Sequence, residues 1–346
     1  MSNKPEIEKH RLIHDLKDQF QVPDSMVEEL SSQLSEEDQQ RMERFSSGFK
    51  TEDWFKWIFS EMPWVRLAHG LDQSQAPLDS KLEYQVPDFL VLAEASDKTN
   101  KPVLVEVKGV SGKKQTLRVQ ETQMRLCEAY AASVNLPLVY ATYWSMFNCW
   151  TANPPQSFER KGKSAKLSVL KAIEGDCSLL FGDMFFLIPR RVTRVSQYDK
   201  TCTESDRAVH PKYGALISDT AMLDEKAIQL KPIESAALDA ALSWRVASKH
   251  QLSNDVTELN ECLDEENFPK LSSWVFRLLL QFGQTPSHEI TRLAVLSIWH
   301  LMRKLGCPEL SIFPFGKKEG VEVIEEHFIR NSGSPPHNQP LQRTSR

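Results

Sequence analysis

The chain has 346 residues, 40% hydrophobic and 26% charged, with a formal net charge of −5. That is enough chain for a full core and two domains, or for one domain with large additions. With no window approaching about eighteen consecutive apolar residues, it argues against a membrane-spanning protein. The six cysteines stand far apart without a Cys-x-x-Cys pair, which argues against a disulfide framework or a zinc ribbon. The mild acidity argues against a protein that coats nucleic acid, while leaving a local basic groove open.

Met1-Ser2-Asn3-Lys4-Pro5-Glu6 has no apolar signal core, so a cytoplasmic location is expected. Residues 1–48 read as helices, with Ile7, Leu12, Ile13 and Leu16 at helical spacing. Six Lys/Arg against eleven Asp/Glu make this stretch a poor DNA-binding arm and a better helical cap or protein-contact module. Thr51 to Phe59 reads as a short buried helix on which Glu52 shares a face with Phe55 and Phe59. Glu52 there either serves a site or only favours the positive end of the helix dipole, with Asp53 the substitute if the face is misread. Residues 62–83 read as a connecting loop with a short strand at Trp64-Val65-Arg66-Leu67, and His69 within it is given no role.

Val86-Pro87-Asp88-Phe89-Leu90-Val91-Leu92 and Val103-Leu104-Val105-Glu106-Val107-Lys108-Gly109 read as two short buried strands of a hairpin, because apolar and β-branched residues fill them and polar turn residues link them. The period of two puts Glu106 and Lys108 on one face and Val103, Val105 and Val107 on the other. Asp88 enters the first strand behind a proline, and strand pairing brings it toward Glu106 and Lys108. Buried carboxylates and ammonium groups need pairing or a metal, and two carboxylates with a lysine suit a hard divalent ion and a phosphodiester. A helical stretch then runs to about Val134, with Gln120, Gln123, Cys127 and Tyr130 on one stripe, followed by a third strand from Leu136 to Trp144. Segment 105–125 carries a net charge of +3 from Lys108, Lys113, Lys114, Arg118 and Arg125 against Glu106 and Glu121. Arg160, Lys161, Lys163, Lys166, Lys171, Arg190, Arg191 and Arg194 continue the positive region. Such charges suit phosphates.

Pro87-Asp88 followed by Glu106-Val107-Lys108 resembles the signature of the PD-(D/E)xK nuclease superfamily, and the order helix, strand, strand, helix, strand over residues 50–145 resembles its core. Acid-x-lysine also begins at Asp15, Asp79, Glu159 and Asp224, but only the copy at Glu106 lies in an apolar strand behind a Pro-Asp strand. The resemblance implies an α/β, restriction-endonuclease-like three-layer core with a mixed central sheet and helical additions at both ends. It further implies a Mg²⁺-dependent nuclease, with Mn²⁺ as a substitute, cutting DNA as an endonuclease. Asp88, Glu106 and Glu52 would be the metal carboxylates, with the Val107 carbonyl a further ligand. Lys108 would be the catalytic lysine, and Gln120, Gln123, Lys113, Lys114 and Arg118 would contact substrate. The alternatives are a catalytically silent nuclease-like module that binds nucleic acid or protein, and a structural ion pair in an unrelated α/β protein.

Beyond the motif, Leu179 to Pro189 reads as a buried strand extending the sheet, with Asp183 as turn chemistry. Residues 196–212 read as a loop, Tyr213 to Ile217 as a strand, and the chain beyond about Lys231 as helical around Leu271 to Leu280 and His288 to Leu305. The expected division is 1–48, a nuclease-like domain 49–230, a mainly helical domain 231–330 and a disordered tail 331–346. The terminal helical regions would recruit a protein partner or form a homodimer.

Overall fold

The computed structural model describes residues 50–310, except 73, 74, 76, 95–97, 204–207, 264–268 and 283–287. The expectations for residues 1–48 and 331–346 lie outside the described residues. A helix, α1, covers residues 50–60. Strands β1 (Val65–Gly70), β2 (Phe89–Glu94) and β3 (Asn100–Val110) follow, then β4 (Thr116–Gln120), helix α2 (Glu121–Ser133), β5 (Leu138–Trp144) and β6 (Cys149–Asn153). The first sheet has the order β1-β2-β3-β5-β6. It is mixed: β3 and β5 run parallel, while the other neighbours run antiparallel. A parallel pair needs a crossover, and α2 supplies it.

Because side chains alternate along a strand, the sheet has two buried faces. Val91, Val103, Val105, Val139 and Ala152 face one core together with Phe55, Ile58 and Phe59 of α1. Leu104, Leu138, Tyr140 and Trp144 face the other, with Met124 and Cys127 of α2. Each fully buried Val, Leu or Phe side chain stabilises the fold by roughly 1.5–3 kcal/mol relative to exposure. Two glycines set close approaches. A Cβ at Gly109 would lie 3.0 Å from Thr51 Oγ1, so its absence lets the first turn of α1 sit against β3 directly after Lys108. Gly182 has a φ of +79°, and a Cβ there would overlap the Trp64 ring at 2.1 Å.

The second core closes under a small sheet of order β4-β8-β7, where β7 is Glu159–Lys161 and β8 is Ser164–Ser168. Its inner side holds Leu117, Val119, Ala165 and Leu167. Helix α3 (Val169–Glu174) follows. Residues 178–189 do not extend the first sheet as expected. Ser178–Phe181 is a 3-10 turn, and only Phe185–Phe186 is a strand, β9, paired with Glu309–Leu310 far down the chain.

Within residues 196–212, expected as loop, only 196–199 and 209–210 are strand, and they belong to a six-stranded antiparallel sheet. It contains β10 (Thr193–Asp199), β11 (Val209–His210), β12 (Gly214–Leu223), β13 (Lys226–Gln229), β14 (Trp244–Gln251) and β15 (Val256–Leu263). The reason for the misreading is chemical, since the buried positions of β10 are Arg194 and Ser196, the reverse of the usual polar-out pattern. Arg194 is satisfied inside: its guanidinium donates to Asp219 at 2.6 and 2.7 Å, to Ser235 at 2.9 Å and to Asp239. Helices α4 (Pro232–Ala241), α5 (Leu271–Phe282) and α6 (His288–Leu305) lie beyond Lys231 as expected, but β14 and β15 stand between them. Leu238, Leu271, Trp274, Ile298 and Trp299 join the same core as the α1 face of the first sheet. No helix among the described residues is long and apolar enough to cross a membrane.

Candidate active site

The register of the first hairpin carries the site. Phe89 faces Val105 and Leu90 faces Leu104, so Asp88, one residue before β2, stands level with Glu106. The backbone fixes this entry: Gln85 N–H donates to the Leu126 carbonyl on α2 at 3.1 Å, and Leu71 N–H donates to the Asp88 carbonyl at 2.9 Å. The Val107 N–H donates to Asp88 Oδ2 at 2.7 Å. Lys108 Nζ donates to Glu106 Oε1 at 2.7 Å and to the Val107 carbonyl at 2.9 Å, and lies 3.9 Å from Asp88 Oδ2. Gln123, in the first turn of α2, donates to the same Glu106 Oε1 at 3.2 Å.

The electrostatics are unbalanced toward negative charge. Burial and the adjacent Glu106 carboxylate push the Asp88 carboxyl well above its usual range, against the opposing pull of Lys108. Burial pulls the Lys108 ammonium down, but Glu106 and Asp88 outweigh it, so the group stays charged above its ordinary value. Glu52 acts on both groups, raising each, which places the first turn of α1 within electrostatic reach. The Glu106 side chain is 2% exposed, Asp88 14% and Lys108 26%. Glu106 Oε2 is buried and has no hydrogen-bond partner among the described residues.

Of the residues singled out in the sequence, Asp88, Glu106, Lys108 and Gln123 come together, and Glu52 acts on Asp88 and Lys108 through space. Lys113 and Lys114 lie exposed in the loop between β3 and β4, and Arg118 lies exposed on β4 opposite Lys166. Gln120 is a correction: it ends β4, opposite Ser164, as an exposed residue, and so does not share the helical stripe of Gln123. The short alternating run Thr116-Leu117-Arg118-Val119 is the signal for β4, and its partner lies on β8, far along the chain. Among the described residues no three His, Cys, Asp or Glu side chains are grouped to hold a metal, so Glu52 does not join Asp88 and Glu106 as a third close ligand.

No family model matches the chain, and no curated protein does. Among solved structures it is similar to Archaeoglobus fulgidus Hjc, a Holliday junction resolvase. The identity is 17% and the TM-score 0.29, over 39% of this chain and 96% of the resolvase. The chemistry of the site therefore rests on its own geometry.

A second acid–lysine group, missed in the sequence, lies on the other side of β6. Lys270 is 1% exposed and donates to Asp176 Oδ2 at 2.6 Å, Ser178 Oγ at 2.6 Å and the Trp150 carbonyl at 2.5 Å. Asp183 Oδ2 lies 3.3 Å from the same ammonium, and its other oxygen accepts from the Ser272 N–H at 2.8 Å. Burial pulls Lys270 down, but Asp176 and Asp183 outweigh it and hold its ammonium above the ordinary range. Asp183 is raised by burial, partly offset by Lys270. Its members come from three separated segments, Trp150 on β6, residues 176–183 and Lys270, which is why no local pattern announced it.

Proposed function

We propose that the chain is a metal-dependent nuclease that hydrolyses phosphodiester bonds, as an endonuclease on DNA, with residues 50–145 as a restriction-endonuclease-like core. The observation that carries this reading is the convergence of Asp88, Glu106 and Lys108 at one partly exposed point, with Glu106 Oε2 buried and unpartnered. A buried carboxylate oxygen without a donor costs about 1–3 kcal/mol or more, and a cation there would remove that cost. Two carboxylates beside a backbone carbonyl are hard oxygen donors. Mg²⁺ is commonly held by one or two carboxylates, completing its shell with water and substrate phosphate, so a pair of acids fits it.

Asp88 and Glu106, with the Val107 carbonyl, would hold Mg²⁺, and Mn²⁺ would substitute. Bound there, the ion would acidify water and offset charge developing on the phosphate. The chain's own residues prepare for this. Gln123 and Lys108 both donate to Glu106 Oε1, which fixes that side chain and leaves Oε2 free of protein donors. The Val107 N–H holds Asp88 Oδ2 in the same way. Lys108 keeps its proton at neutral pH, so it serves as a donor toward a phosphate oxygen or the attacking water and not as a base. Glu52 adds negative charge from α1. Lys113, Lys114, Arg118, Gln120 and Gln123 are the proposed substrate contacts.

One observation favours a second reading, a catalytically silent nuclease-like module: the Lys108 ammonium itself already bonds both Glu106 Oε1 and the Val107 carbonyl. The test incubates wild type, Lys108→Met and Asp88→Asn with linear, supercoiled, branched and single-stranded DNA in Mg²⁺, Mn²⁺ or EDTA, with calorimetric titration of both ions. Cleavage by wild type alone, lost in EDTA, is the expected result. Binding of DNA with neither cleavage nor ion uptake would select the silent module.

A further inference from the structure

Turns favour Gly, Asn, Asp, Ser and Pro, yet the β5–β6 turn places two large apolar side chains at its tip. Met146 is 63% exposed and Phe147 is 54% exposed. The turn is braced from below. Ser145 N–H donates to the Val110 carbonyl at 3.1 Å, and Phe147 N–H donates to the Trp144 carbonyl at 3.0 Å. Asn148 takes the positive φ of 45° that the turn requires. Its side-chain oxygen accepts from Tyr143 Oη at 2.9 Å, and its carbonyl accepts from Ser273 Oγ at 3.0 Å. Asn148 thus does the conformational work, leaving Met146 and Phe147 presented to solvent by a fixed support.

The position of this tip follows from the parallel pairing. Lys108 stands opposite Thr142 and Val110 opposite Trp144, so β3 and β5 end side by side. From that shared end β3 continues into the loop bearing exposed Lys113 and Lys114, and β5 continues into the Met146–Phe147 turn. The loop is held by Gln115 Nε2 donating to the Gly112 carbonyl at 2.6 Å. Two strand residues separate Lys108 from the shared end of β3 and β5, roughly 7 Å at about 3.3 Å per residue, and the turn lies just beyond that end.

Two exposed ammonium groups and two exposed apolar side chains, on loops that leave the same end of β3 and β5, complement a polyanion that also offers flat apolar surfaces. In a stacked duplex those surfaces are hidden. We propose that Met146 and Phe147 pack on bases of an unstacked stretch of nucleic acid, as in a single strand or a branch, while Lys113 and Lys114 hold its phosphates. This rests on the nuclease reading for the position of the scissile phosphate, and it makes the substrate a DNA with interrupted stacking.

Binding of fluorescein-labelled single-stranded and duplex DNA of one sequence, measured in EDTA, tests it. Wild type should prefer the single strand. The double variant Met146→Ser/Phe147→Ser should bind the single strand roughly ten- to one-hundred-fold more weakly and the duplex unchanged. Lys113→Glu/Lys114→Glu should weaken both and flatten the dependence of log affinity on log salt by roughly 1.5. The substituted side chains are exposed, and a thermal melt matching wild type confirms that each variant folds. Unchanged single-strand affinity in the Met146/Phe147 variant would overturn the inference, as would loss of self-association, which would make the tip a protein contact. If wild type cuts DNA with Mg²⁺ while the tip variant keeps its affinity, the nuclease reading stands and the tip assignment falls. If wild type neither binds nor cuts DNA, both fall.

Discussion

Lys108 and Lys270 each sit between two carboxylates and a backbone carbonyl, yet the two groups are built to opposite ends. Lys270 offers three protons to three acceptors within 2.6 Å and is 1% exposed. Lys108 makes two hydrogen bonds, reaches only to 3.9 Å of Asp88, and is 26% exposed beside an unpartnered carboxylate oxygen. The Lys270 group adds Ser178, and its one carboxylate oxygen without a hydrogen bond among the described residues, Asp183 Oδ2, still lies 3.3 Å from the ammonium. A closed group of this kind fixes three segments of chain, whereas an incompletely satisfied one is a place for a ligand.

The largest expected effect breaks the closed group. Lys270→Met leaves Asp176 and Asp183 buried without their cation and should cost about 3–5 kcal/mol of stability by chemical denaturation. Cleavage per folded molecule should stay unchanged. The same group has a titration signature. Lys270 is raised above its ordinary value of about 10.5, so its contribution is complete below that pH and is lost as pH rises through the folded value. Asp183, raised by burial, works in the same direction, losing its contribution as pH rises through its folded value from the acid side. Wild type should therefore destabilise in strong alkali, and Lys270→Met should lose the lysine limb of that curve.

Next in size is Lys108→Met, which should lower cleavage by about 10²–10³-fold, as for removal of one positioned donor to developing charge, and should lower stability by less than Lys270→Met, because Glu106 loses its cation at a site that is partly exposed. Smallest, and opposite in sign to Lys270→Met, is Asp88→Asn. It removes a charge that burial and Glu106 disfavour, so the metal-free protein should gain about 1 kcal/mol while cleavage is lost. A metal-free Asp88→Asn protein less stable than wild type would erase the distinction between the two groups.

What could be read from the sequence was what is local. Asp88, Glu106 and Lys108 lie within one hairpin, so period-two alternation and a Pro-Asp entry were enough to bring them together. Gln123 was legible as a helical residue on one stripe with Cys127, but the place of Gln120 on β4 was not, because the start of α2 depends on β4 pairing with β8. The strand β10 was hidden by its own interior, where Arg194 and Ser196 take positions that apolar residues would have marked. Asp183 looked like turn chemistry because nothing near it in sequence reveals Lys270.

Lys270 also sets an order of events during synthesis. It closes contacts with Asp176, 94 residues earlier, and with Trp150, 120 residues earlier. At about 5–20 residues per second, ribosomes leave that interval open for several seconds. Through it, the hairpin that joins Asp88 to Lys108 has all its own parts, while β6 and the turns behind it wait with two carboxylates for a cation not yet made.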